Sequence, residues 1–229
     1  GQGPDIGSQY LSAIFYNNDE EKETSKKLIE VLNNKGFKVA TSLISSHNTP
    51  FFEAEAVVNG EIQNISLNSF DGQYKVLFFY PLDFTFVCPT ELHAFEALKD
   101  EFAKRNTQVI GCSVDSVHSH QAWLNTPKKL GGIEGVTYPL LSDINKFIAR
   151  DYEVLHHSDG IALRGLFIID KDNVVQAALV NNLPLGRNVQ EAIRLVDALQ
   201  HHEENGDVCP ANWTKEQPSM QATQQGVKE

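Results

Sequence analysis

Cysteine is scarce in this chain, with three in 229 residues. That is too few to staple a secreted disulfide scaffold, and it fits a reducing compartment in which any disulfide is transient and catalytic. Basic charge is scarce as well. With 19 Lys and Arg against 30 Asp and Glu, the net charge is −11, which disfavours nucleic acid and anionic membranes as partners. No apolar run approaches the roughly 18 residues of a membrane span. The first residues lack the basic-then-apolar order of a signal peptide, and DEEKE at 19–23 is too acidic for a transit peptide. The expected location is cytoplasmic. No Cys-x-x-Cys or His-Glu-x-x-His spacing accompanies His118, His120, His156, His157, His201 and His202, so no metal is expected and these side chains read as solvated. LGGIEG at 130–135 lies among polar residues and reads as a loop rather than a phosphate cradle.

What is present centres on PLDFTFVCPTE at 81–91. The preceding KVLFFY (75–80) is almost wholly apolar and reads as a buried strand, which Pro81 breaks because it has no N–H to donate. After Cys88, the residues Pro89, Thr90 and Glu91 lead into Leu92, Phe95, Leu98 and Phe102, spaced as one helix face. Cys88 is therefore expected at a strand-to-helix turn. There, unpaired N–H groups and the positive end of the helix dipole favour a thiolate. Thr85 can present a hydroxyl to whatever approaches the sulfur. A lone cysteine is more often a structural core residue, but the Pro, Thr and Cys spacing favours the catalytic reading.

These residues resemble the peroxidatic motif of the typical two-cysteine peroxiredoxins, Pro-x-x-x-Thr-x-x-Cys. GCSVDS (111–116), RGLFIID (164–170), NNLPLGRN (181–188) and DVCPANW (207–213) resemble further segments of that family in the same order. The resemblance implies that Cys88 is the peroxidatic cysteine, Pro81 and Thr85 its pocket partners, Arg164 the cation holding thiolate and peroxide, and Cys209 the resolving cysteine on the other subunit. It also implies an α/β thioredoxin-like fold and a head-to-tail homodimer, which can assemble into a ring such as a decamer. The expected activity is thiol-dependent reduction of hydrogen peroxide and alkyl hydroperoxides, with no cofactor of its own. Thioredoxin or a dedicated disulfide reductase would restore the thiols. A second reading of another class is an oligomeric holdase chaperone or a peroxide-sensing redox relay.

Other features fit this frame. Arg164 opens the apolar strand GLFIID, where an unpaired charge is costly. Its other reading is an ordinary surface ion pair. Cys112 closes the apolar strand TQVIGCSV and reads as core. Asn212 stands where the family more often has Gly, and GGIEG (131–135) replaces the commoner GGLG or GGIG. With that loop and no aromatic residue after Trp213, resistance to over-oxidation is expected.

From residue 51 the pattern predicts strands at 54–58, 62–67, 75–80, 107–114, 163–170 and 174–180. Helices are predicted at 91–104, 117–125, 144–151 and 188–202, the last with Val189, Ile193, Val196 and Leu199 on one face. Asp172 and Asn173 supply the turn between the last two strands. Alternating βα units followed by a hairpin and a helix give an α/β layer structure. Residues 203–229 are polar and Gln-rich, and read as mobile apart from the VCPANW anchor.

Residues 1–50 form a separate unit. LSAIFY (11–16) and FKVATSLI (37–44) read as strands flanking a helix that carries Leu28, Ile29 and Leu32, capped by Asn18 or Asp19 and ended by Gly36. With GQGPDIGSQY before it, this βαβ extension resembles the C-terminal part of peptide methionine sulfoxide reductase A. Leu11 departs from that family, which usually has Arg there. The reductase's GCFWG motif is absent, so Asp5 and Tyr10, which match substrate-pocket positions, have no nucleophile to serve. The expected partition is 1–50 extension, 51–202 peroxiredoxin domain and 203–229 arm.

Overall fold

A computed structural model describes residues 49–156, 158–224 and 226. The chain divides between His47 and Asn48, and every described residue belongs to the unit Asn48–Glu229. The predicted βαβ of residues 1–50, with Asp5 and Tyr10, lies outside the described residues up to position 48, as does His157.

The elements of the described unit are β1 (Glu53–Val58), β2 (Glu61–Ser66), β3 (Tyr74–Phe79), α1 (Cys88–Ala97), α2 (Lys99–Ala103), β4 (Thr107–Ser113) and α3 (Val117–Leu124). They continue with β5 (Leu140–Ser142), α4 (Phe147–Asp151), β6 (Arg164–Ile169), β7 (Val175–Asn181) and α5 (Val189–Asn205). The strands form one sheet in the order β2-β1-β5-β4-β3-β6-β7. β3 pairs in parallel with β4, and β4 with β5, while β6 joins β3 antiparallel and β7 joins β6 antiparallel. This is the α/β, thioredoxin-like arrangement expected from the sequence.

β3 is the axis of the molecule. All six of its residues are buried, as expected of a strand covered on both faces. Alternate side chains serve opposite layers. Val76 and Phe78 join Cys88, Leu92, Phe95, Val189 and Val196 in the layer under α1 and α5. Phe79 packs on the other face against Phe167 and Tyr152, at ring-centroid distances of 5.8 and 5.4 Å. Phe78 stacks on Phe95 at 4.1 Å, and burying one phenyl ring of this kind contributes about 1.5–3 kcal/mol. A Cβ at Gly111 in β4 would meet the side chains of Leu140 at 2.9 Å and Phe78 at 3.1 Å, so a larger residue there would force those buried groups to shift.

Several boundaries differ from the periodicity. The helix expected at 91–104 starts at Cys88, because Pro89 sits in its first turn, where a missing N–H costs nothing. It breaks at Leu98, which leaves helical dihedrals. The helix expected at 144–151 begins only at Phe147, after Lys146 in the left-handed region. Asp143 accepts from the Ile148 and Ala149 N–H groups at 3.0 and 2.7 Å and so caps it from outside. β5 is three residues long and too short to show a period. The polar tail is also more anchored than expected: Val208 and Met220 exchange backbone hydrogen bonds of 2.8 and 3.0 Å, and Trp213 is buried. Among the described residues no helix is long and apolar enough to cross a membrane.

Candidate active site

Cys88 is the first residue of α1 and is fully buried. It stands there because β3 ends at Phe79, and Tyr80 and Pro81, both buried, turn the chain towards the helix. Residues 82–87 are bent locally. The Thr85 hydroxyl donates to the Leu82 carbonyl at 2.8 Å, and Phe84 adopts a left-handed φ of 53°. Phe86 is almost entirely exposed.

The charge around the sulfur is concentrated. Arg164, the first residue of β6, directs Nη1 to Cys88 Sγ at 3.4 Å and to Glu91 Oε2 at 2.7 Å. Its Nε donates to the Leu183 carbonyl at 2.6 Å. Arg187 completes the cluster: its Nε donates to Glu91 Oε1 at 2.8 Å and its Nη2 to Glu91 Oε2 at 3.0 Å. The Arg187 Nη1 donates to the carbonyls of Phe79 and Gly165 at 2.8 and 2.5 Å, and the guanidinium lies over the Phe78 ring at 5.1 Å. Burial pulls the Arg187 guanidinium down from its ordinary range, against the pull of Glu91. Glu91 and Arg164 are both buried.

Among the described residues these two buried guanidiniums face one carboxylate, which leaves one positive charge uncompensated. An anionic sulfur at Cys88 would neutralise it. Uncompensated charge inside a protein is costly, so this arrangement is complementary to an anionic sulfur and to negative charge developing beside it. Glu91 and Arg187 were not singled out from the sequence. Arg187 lies in NNLPLGRN, and an arginine between Gly186 and the apolar positions of α5 was the available signal.

The loop before Cys88 is pinned by a second polar group. Asp83 accepts from the Tyr80 hydroxyl at 2.9 Å and pairs with His120 Nδ1 at 2.8 Å, while His120 Nε2 faces the Leu141 carbonyl at 3.0 Å. The Asp83 N–H donates to Asp115 at 2.9 Å. The reading of His120 as solvated is therefore wrong. It is fully buried, because α3 turns one face onto the loop, whereas its neighbour His118 is exposed.

The remaining cysteines lie apart. Cys112 is fully buried and its thiol is pushed well up by burial, with Asp143 adding to the shift, so it is a core residue and a poor nucleophile. Cys209 is half-buried on the arm, its thiol directed at the Ala198 carbonyl at 3.5 Å. Partial burial raises it, countered by Arg194. All three cysteines are free. Arg164 reaches Cys88, the Thr85 hydroxyl is turned to the Leu82 carbonyl, and Cys209 stands in its own setting on the arm.

A sequence model of the AhpC/TSA family matches residues 46–178. The chain belongs to the AhpC/TSA family and is a two-cysteine peroxiredoxin. A model of the C-terminal domain of 1-Cys peroxiredoxin matches residues 198–229, and one of peptide methionine sulfoxide reductase matches residues 1–60. The peroxiredoxin is 54% identical to the mitochondrial thioredoxin-dependent peroxide reductase of Mus musculus, over 82% of this chain and 73% of that one. It is 52% identical to Peroxiredoxin 2 of Drosophila melanogaster, over 79% of this chain and 93% of that one. Among solved structures, the reduced 2-Cys peroxiredoxin of Plasmodium vivax matches with a TM-score of 0.77 and 49% identity, covering 79% of this chain and 94% of that one. The expected cytoplasmic location is overturned: relatives from five mammals, 52–54% identical, are mitochondrial by name. An acidic DEEKE segment says little about targeting when it lies inside a reductase-like unit.

Proposed function

We propose that this peroxiredoxin is a thioredoxin-dependent thiol peroxidase in which Cys88 is the peroxidatic and Cys209 the resolving cysteine. The observation that carries the reading is the Arg164 Nη1 to Cys88 Sγ contact of 3.4 Å inside a buried cluster with one surplus positive charge. The Cys88 thiolate attacks one peroxide oxygen in line, the S–O bond forms and the O–O bond breaks, and the departing oxygen takes a proton and leaves as water or an alcohol. Arg164 stabilises the charge that develops on that oxygen, and Glu91 with Arg187 hold Arg164 in position. Pro81, buried in the turn before Cys88, is read as a pocket partner, and the Thr85 hydroxyl has lone pairs free for a peroxide O–H while it donates to Leu82.

Cys209 of a second subunit then attacks the sulfenic sulfur, giving an intersubunit disulfide that thioredoxin reduces. Thioredoxin as reductant is what the names of the mammalian relatives support, and a dedicated disulfide reductase is the lesser reading. The same names favour the peroxidase over the holdase or relay reading. A homo-oligomer built of dimers, closing into a ring, suits a resolving residue contributed in trans. A mitochondrial setting is the one these relatives support.

For the organisation of the chain we read 1–50 as an extension, 51–202 as the catalytic domain and 203–229 as the resolving arm. The extension reading rests on the reductase match over 1–60 and on there being no cysteine before Cys88. The experiment that tests the function is peroxide consumption with a thioredoxin system, followed by non-reducing gels. Turnover with a disulfide-linked dimer is expected, and no peroxide consumption by the reduced protein overturns it.

A further inference from the structure

The face of α5 that carries the resolving arm is polar, and its contacts are unequal in strength. Trp213 is almost wholly buried, packs tilted against His201 at a ring-centroid distance of 4.9 Å and has its carbonyl held by Arg194 Nη1 at 3.2 Å. Between these two α5 residues stands Asp197. Its carboxylate is gripped by Arg105, Nε to Oδ1 at 2.8 Å and Nη2 to Oδ2 at 3.0 Å, so the body of the protein already satisfies it. Oδ1 also receives Lys215 Nζ from the arm at 3.0 Å. We propose that Asp197 is a positioning residue for the resolving step, holding the Cys209 arm closed through Lys215 as a salt-sensitive latch.

Three observations support a latch rather than a structural pair. First, Asp197 is nearly buried, with 9% of its side chain exposed, whereas Lys215 is 56% exposed. Second, a cleft of about 390 Å³, lined by Arg105, Glu191, Arg194, Asp197 and Lys215 among others, opens beside the pair, so water and ions reach it. Third, losing Lys215 leaves the Arg105–Asp197 pair intact and frees only the arm. Exposed pairs of this kind are weak and screened by salt, which suits a contact that must open in every catalytic cycle. Cys209 lies six positions before Lys215 on the same arm, so release of Lys215 leaves Trp213 and its Arg194 contact as the remaining hold on the segment that keeps the thiol against the Ala198 carbonyl.

The inference rests on the reading that Cys209 resolves. In that step the released Cys209 thiolate attacks the sulfenic sulfur of Cys88, the S–S bond forms, the S–O bond breaks, and the hydroxide takes up the proton lost from the thiol and leaves as water. While the arm is latched this attack waits, and a second peroxide can instead drive Cys88 to the sulfinic acid.

The test is rapid-quench mass spectrometry of the fully reduced, full-length protein after one equivalent of peroxide, scoring sulfenic acid and disulfide separately. Lys215→Gln should leave sulfenic acid formation unchanged and speed disulfide formation about two- to five-fold, with sulfinic acid at excess peroxide falling by a similar factor. Lys215→Arg should retain the wild-type rate. Raising salt towards about 1 M should accelerate disulfide formation in the wild type and leave Lys215→Gln unmoved. Disulfide formation in Lys215→Gln that is unchanged or slower, or a salt response equal in both proteins, overturns the latch. Sulfenic acid without any disulfide in the wild type overturns the resolving role of Cys209 and the latch with it.

Discussion

Arg164 Nη1 lies 3.4 Å from Cys88 Sγ, and its position is set by a carboxylate that is not part of the reacting pair. The same nitrogen is 2.7 Å from Glu91 Oε2, while Arg187 holds the other side of Glu91. Glu91 is one turn after Cys88 on α1, so the helix that presents the sulfur also presents the anchor of its cation. The sulfur and the cation beside it are in this way coupled through a single short element.

Arg164→Lys should slow the first peroxide step by about 100-fold or more, because an ammonium cannot serve sulfur, carboxylate and carbonyl from one fork. Cys88→Ser should abolish it, since a serine hydroxyl is hardly ionised at neutral pH. Competition kinetics against a reporter peroxidase measures both. Arg164→Lys activity within a few-fold of wild type would remove Arg164 from the mechanism.

Glu91→Gln should cost about 3 kcal/mol or more of stability, because two buried guanidiniums lose the one carboxylate they share among the described residues. It should also slow peroxide reduction through misplacement of Arg164. Urea unfolding and stopped-flow kinetics on the same sample separate the two effects. A variant as stable as the wild type would mean that solvent, and not Glu91, compensates the arginines.

The disulfide should depend on one cysteine outside the peroxide site. Oxidised protein should run as a dimer on non-reducing gels, and Cys209→Ser should remove that band while one equivalent of peroxide is still consumed at Cys88. Cys112→Ser should keep the band, because that thiol is buried and raised. Loss of the dimer in Cys112→Ser would reverse the assignment.

Asp115 sets a pH dependence of stability. Burial first, then the Asp83 charge, raise its carboxyl above the ordinary range. A carboxyl raised in the folded state contributes stability below the ordinary carboxylate range, and that contribution is lost as pH rises through the shifted value. Asp115→Asn keeps an oxygen for the Asp83 N–H and the Ser113 hydroxyl and removes the charge. Its Tm should exceed that of the wild type at about pH 7, with the difference closing towards about pH 4. A difference that widens on acidification would contradict the burial argument.

Deleting residues 1–48 should leave peroxide turnover with thioredoxin largely unchanged, since all three cysteines and both arginines of the cluster lie beyond them. The full chain should not reduce methionine sulfoxide. Measurable sulfoxide reduction would require a nucleophile other than the cysteine of the reductase motif.

Local order along the chain was legible in the sequence because it is written in short-range chemistry. The apolar run ending at Pro81, the Pro-x-x-x-Thr-x-x-Cys spacing and the three-to-four spacing after Cys88 specify strand, break and helix without reference to distant partners. Arg164 at the head of an apolar strand was visible for the same reason, and so was Cys112 as core. The partners of the charges were decided only by tertiary structure. Glu91 and Arg187 are 96 positions apart, and no periodicity tells a carboxylate which guanidinium it will meet. His120 reads like any polar helix residue until α3 packs against the Asp83 loop and buries it. β5 exists because β4 and β1 offer their edges to three residues that have no preference of their own. Periodicity reports which face is buried, whereas the identity of what lies across that face follows from the order in which the sheet assembles its strands.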